Sequence, residues 1–188
     1  MAIKIYIDQG HNPVNPNAGA EGNGLREQDI TYEIGVLLAD LLRGNGNFEV
    51  MLSRNTPTEM VGTTNAESLR IRVDEANAWH ANFFISIHNN ASVNTSASGT
   101  EALAYSRRSQ GYVMGEHITQ WVSRLTGLRN RGVTLRPGLY VLRYTDMPAV
   151  IAELAYITNA HDAALLSQQP ELFADAMYRA ILEYYGLG

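Results

Sequence analysis

His11, Glu27, His88 and Glu153 are the residues whose types and positions could do chemistry together. His11 closes IKIYIDQGH, His88 closes NFFISIH and Glu153 closes AVIAE, each directly after a short run that reads as a buried strand. In open α/β sheets, ligands bind in the crevice beyond the carboxyl ends of the strands. Glu27 lies three residues before Ile30 and seven before Ile34, on the inward stripe of a helix at its first turn. A helix that follows a parallel strand starts at the edge where that strand ends, so Glu27 is expected to face His11 and His88. Two imidazoles and two carboxylates at one sheet edge predict a hydrolytic zinc site. Two His and one Glu with an open fourth position form a known catalytic zinc set.

Each residue taken singly has a plainer reading. A first-turn Glu is favoured by the helix dipole at about 0.3–1 kcal/mol. His11 could be a polar turn residue, and His88 a core histidine bonded to a carbonyl. Glu153, in an apolar segment, needs a cationic partner, which could be a metal or an arginine such as Arg143 or Arg131. The equivalence of the strand ends is what joins these residues. His80, His117 and His161 have no partner at ligand spacing.

The elements that must position this set alternate between strands and helices. Asn12 to Gly24 is a Gly/Asn/Pro-rich loop, longer than the usual strand-to-helix link. A helix is expected from Glu27 to Leu42, with Ile30, Ile34, Leu37, Leu38 and Leu41 three and four apart. FEVML reads as a strand, and a second helix carries Ala66, Leu69, Val73 and Ala76 on one face. NFFISIH and GTEALAY are strands. A third helix has Met114, Ile118, Trp121, Val122 and Leu125 as its stripe. LYVLR and AVIAELAY read as two more strands, and PELFADAMYRAILEYY as the closing helix, started by Pro170. The fold class is therefore α/β: one domain over residues 1–188, with a twisted, mostly parallel (mixed) sheet of about six strands, helices on both faces, and the zinc site at the C-terminal strand edge.

Composition bounds the function. With 188 residues and 45% apolar content, the chain can bury one good core. A net charge of −5 without a basic run argues against general nucleic-acid binding. The absence of cysteine removes disulfides and thiolate metal sites. No stretch approaches the roughly 18 apolar residues of a spanning helix. The N-terminus, which runs from a single Lys into Asp-Gln-Gly-His, does not read as a signal peptide.

Four ordered blocks resemble the zinc-dependent N-acetylmuramoyl-L-alanine amidases of the type-3 class: IYIDQGHNP, GNGLREQD, RVDEANAWHANFFISIHNNAS and LYVLRYTDMPAVIAELAYITN. The resemblance covers essentially the whole chain. It implies a peptidoglycan hydrolase that cuts the amide between the muramic acid lactyl group and the first L-Ala of the stem peptide. His11, Glu27 and His88 would hold one Zn2+, and Glu153 would be the catalytic carboxylate. Asn90 would match the Asn of the family's His-x-Asn motif, and Arg131, in NRGV, is expected to meet substrate carboxylates. Arg72 and Asn77 also match family positions. One departure is Asn12, where the family usually has Gly, so the following loop is expected to take a different shape. The enzyme would be a monomer acting at the bacterial cell wall, made in the cytoplasm and released by another route, or a domain excised from a longer protein. Competing readings are a zinc carboxypeptidase or endopeptidase acting within the stem peptide, and a non-catalytic peptidoglycan-binding domain of the same fold.

Overall fold

The computed structural model describes residues 2–188. Strand β1 (Ile3–Gln9) leads through a short hairpin, β2 (Glu21–Gly22) and β3 (Leu25–Arg26), into helix α1 (Glu27–Asn45). Then follow β4 (Phe48–Leu52), α2 (Asn65–Ala78), β5 (Phe83–Asn90), β6 (Thr100–Ala104) and α3 (Gln110–Thr126). The chain closes with β7 (Asn130–Leu135), α4 (Tyr140–Tyr144), β8 (Ala149–Tyr156), α5 (Ala160–Gln168) and α6 (Pro170–Tyr185). The main sheet has six strands in the order β4-β1-β5-β8-β6-β7, parallel throughout except where β6 meets β8. The expected mixed α/β sheet is thus the observed one.

Strand alternation divides the core in two. Ile5, Ile7, Phe83, Ile85, Ile87, Val150 and Ala152 point to the face covered by α1, α3 and α6. Tyr6, Phe84, Ala149 and Ile151 point to the other face, where Val73 and Ala76 of α2 and Val141 and Leu142 of α4 cover them. The helix after β1 and the helix after β4 therefore lie on opposite faces. This diverging geometry opens a crevice between β1 and β5, the switch point of a doubly wound sheet. Asp8, Ser86, His88 and Glu153 belong to the α2/α4 side.

Two expectations are corrected. LYVLR is no strand. Tyr140–Tyr144 form the short helix α4 with Leu139 as its N-cap, and the Leu139 carbonyl closes its first turn by accepting from the Leu142 and Arg143 N–H groups at 3.1 Å each. Packing of Val141 and Leu142 onto the sheet overrides the strand propensity of Tyr140 and Val141. The sixth strand is instead β7, over the basic segment that periodicity left unassigned; it pairs with β6 from Thr100–Asn130 to Ala104–Leu135. In α2, the buried side carries Ser68 and Arg72 beside Val73 and Ala76, while Ala66 is exposed.

Candidate metal centre and groove

The residues singled out in the sequence converge. One ligating atom from each of His11, Glu27 and His88 can be chosen so that all lie within 4.8 Å of one another. Glu27 stands between the imidazoles, Oε2 at 3.1 Å from His11 Nε2 and Oε1 at 3.1 Å from His88 Nδ1. Backbone fixes the carboxylate: the Ala20 N–H donates to Oε2 and the Asn89 N–H to Oε1, each at 2.9 Å. Gly19 lets the loop come this close, because a Cβ there would sit 2.9 Å from Glu27 Oε2 and from His11 Cδ2. The first turn of α1 delivers Glu27 to the edge where β1 and β5 end, as the topology requires.

His11 leaves β1 with a left-handed φ of 72°. That turn is held from beneath by Arg72, a fully buried guanidinium that pairs with Asp8 and donates to the carbonyls of Gln9 (2.8 Å) and His11 (2.7 Å). Burial pushes the Asp8 carboxyl up, but Arg72 and the Ser86 hydroxyl (2.6 Å) outweigh it and hold it below the usual range. The departure at Asn12 has a structural counterpart. Its side chain is buried, accepting from the Val61 N–H at 3.0 Å and donating to the carbonyls of Pro16 (2.9 Å) and Val61 (3.1 Å). Asn12 thus staples the long loop to the segment after β4.

Three Lewis bases aimed at one point are stable only if positive charge lies among them. Protons supply it in part: the hydrogen bond and charge of Glu27 overcome burial and raise His88 to about 9. Burial likewise opposes ionisation of Glu27, yet the two imidazoles hold its carboxyl far below the ordinary value. A divalent cation with nitrogen and oxygen preference fits the same donor set. His11 Nδ1 is buried and, among the described residues, has no hydrogen-bond partner, so that ring nitrogen is left open.

Glu153 reaches the site from β8, where it is the direct register partner of His88 on β5. Among the described residues its carboxylate has no ion pair; Arg143 stacks on Tyr144 at 5.6 Å and Arg131 on Tyr156 at 5.4 Å. The arginine reading of Glu153 therefore has no partner. Burial, with the neighbouring charges of Glu27 and Glu101 added and His88 opposing, raises Glu153 to about 7. Asn90 sits two residues past His88 and donates to Glu101 Oε1 at 2.6 Å. Arg131 lies apart from the cluster, exposed on β7 and donating to the Ser98 carbonyl at 3.3 Å.

His11, His88 and Glu153 open into a groove of about 390 Å³, walled by Leu69, Leu103, Leu139, Tyr140 and Ile151, with Asn17, Asn65 and Arg136 also lining it. A hollow of about 700 Å³ lies elsewhere, beside Lys4, Asn82 and Tyr184, and includes none of the three clustered donors.

Residues 5–183 match the family model described as N-acetylmuramoyl-L-alanine amidase. The chain belongs to that family. Of its amidase relatives, LytC of Bacillus subtilis (strain 168), named an N-acetylmuramoyl-L-alanine amidase, is 34% identical over 190 residues, covering 96% of this chain and 35% of LytC. The chain thus spans about a third of that relative. YqiI of the same organism is 36% identical over 96% of this chain and 84% of its own length. The solved catalytic domain of CwlV, an N-acetylmuramoyl-L-alanine amidase from Bacillus (Paenibacillus) polymyxa var. colistinus, matches with a TM-score of 0.83 at 29% identity, covering 99% of both chains.

Proposed function

We propose that this chain hydrolyses the amide joining the lactyl group of N-acetylmuramic acid to the L-Ala of the peptidoglycan stem, at the bacterial cell wall, with Zn2+ as cofactor. His11, Glu27 and His88 hold the ion, and Glu153 is the catalytic base. The observation that carries this reading is the convergence of the three ligating groups beside an unpaired carboxylate, in a chain of the amidase family.

Zinc in such a site supplies a Lewis acid that makes water nucleophilic near neutral pH and polarises the scissile carbonyl. The protein supplies the rest. Ala20 and Asn89 N–H groups lock the Glu27 carboxylate, so the cradle is preorganised. Arg72 and Asp8 fix the backbone on which His11 turns. Glu153 takes the proton of the attacking water on a carboxylate oxygen and delivers it to the leaving nitrogen of L-Ala. Its pKa, raised by burial, suits a group that must accept and then release a proton near neutrality.

The test is Glu153→Gln. The variant should keep one zinc per chain by elemental analysis while wall lysis falls by at least about 10²–10⁴, the usual contribution of a general base. Mass spectrometry of walls digested by the parent protein should find intact stems with a new N-terminal L-Ala. Shortened stems would mean a peptidase, and retained lysis in the variant would remove Glu153 from the chemistry.

A further inference from the structure

Among the described residues, Arg136 is the only Lys or Arg that lines the groove. Its backbone is fixed on both sides: its N–H donates to the Ala104 carbonyl at 2.9 Å, and its carbonyl accepts from the Leu139 N–H at 3.1 Å. Its side chain is exposed and, among the described residues, has no ion pair, hydrogen bond or aromatic partner. Arg72 differs: Asp8, the carbonyls of Gln9 and His11, the Ser53 and Ser68 hydroxyls and the Asn12 side-chain oxygen all accept from its guanidinium. Arg131, the arginine favoured by the sequence, is occupied by Tyr156 and Ser98 and is not part of the groove wall. A guanidinium on an anchored backbone, beside the apolar Leu103, Leu139 and Tyr140 and in the same groove as Glu153, is built to receive a planar anion.

We infer that Arg136 is a specificity-determining residue that binds a carboxylate of the stem peptide close to the scissile amide. This inference rests on the amidase reading. The L-Ala released by the reaction has no charged side chain, so the nearest carboxylate belongs to the second stem residue. Bacterial walls carry that group either free or converted to a carboxamide. Arg136 therefore selects walls in which it is free. A charge-assisted hydrogen bond sets the scale, and its position at an open groove limits the effect to about tenfold.

The experiment uses the zinc-loaded full chain and two synthetic muramyl peptides differing only in a carboxylate or a carboxamide on the second residue. The parent should prefer the carboxylate by about tenfold in kcat/KM, expressed mainly in KM. Arg136→Gln should bring the ratio close to one. Arg136→Lys, which keeps the charge and loses the fork, should fall between. A ratio of one in the parent, or an unchanged ratio in Arg136→Gln, overturns the inference while leaving the amidase reading intact. Cleavage at another bond overturns the amidase reading instead. Arg136 is then judged by calorimetric binding of the free dipeptides L-Ala-D-Glu and L-Ala-D-isoglutamine, which differ only in the α-carboxylate or α-carboxamide of the second residue. Tighter binding of the acid by the parent, lost in Arg136→Gln, upholds its role, and equal binding by the parent removes it.

Discussion

Asp8 is neither a proposed ligand nor the proposed base, yet through Arg72 it holds the backbone on which His11 turns. The carboxylate and the Arg72 guanidinium are both buried, and removing one leaves the other without compensation. Asp8→Ala should cost about 3–5 kcal/mol by denaturant unfolding. The pH dependence follows in sign. Because the folded-state pKa of Asp8 lies below its ordinary value of 3.8, its contribution is fully present above that value. It is lost as pH falls from there through the lower folded-state value, so the stability gap between parent and variant should close in acid. A gap constant down to pH 2 would refute the pairing. At this scale the sequence was informative wherever a side-chain type carries the chemistry. His11, Glu27, His88 and Glu153 could be read because strand ends and a helical first turn place them. The N–H groups of Ala20 and Asn89 could not, because a backbone donor leaves no trace in residue type. Arg136 differs from its neighbouring arginines only in having no partner, a property of three dimensions.

Elements decide how closely these residues are held. Helix α3 crosses β8 so tightly at Gly111 that a Cβ there would overlap the Ala149 carbonyl oxygen. Gly111→Ala should therefore lift the helix from the sheet and destabilise the protein by about 1–3 kcal/mol, against the slight gain expected of Ala in a free helix. An unchanged or raised midpoint in chemical denaturation would show that the contact is not rigid. The five strands read from apolar runs, β1, β4, β5, β6 and β8, are all observed. LYVLR misled because Tyr140 and Val141 favour a strand, and so short an apolar run cannot be told from a helix by periodicity alone. β7 was invisible because it lies at the sheet edge, where Asn130, Arg131 and Gly132 replace the usual apolar alternation. Helix α5 is only nine residues long and is capped by the Asn159 side chain, too brief for its periodicity to stand out.

For the whole molecule, the proposed zinc ion would brace three separate pieces, since its donors come from the end of β1, the start of α1 and β5. A ligand bound only by the folded state at a hundredfold its Kd stabilises by about 2.7 kcal/mol. In a protein of this size, that corresponds to a Tm higher by about 5–10 °C. Calorimetry with zinc and with a chelator should find this difference in the parent and none in His11→Ala; equal melting in both conditions would argue against the cradle. The sheet order carries one more consequence. β8 is made late in the chain but inserts between β5 and β6, next to His88. On the proposed roles, every residue that holds the ion precedes the base in the chain, so a product terminated between His88 and Glu153 carries the ligands without the group that makes them lytic.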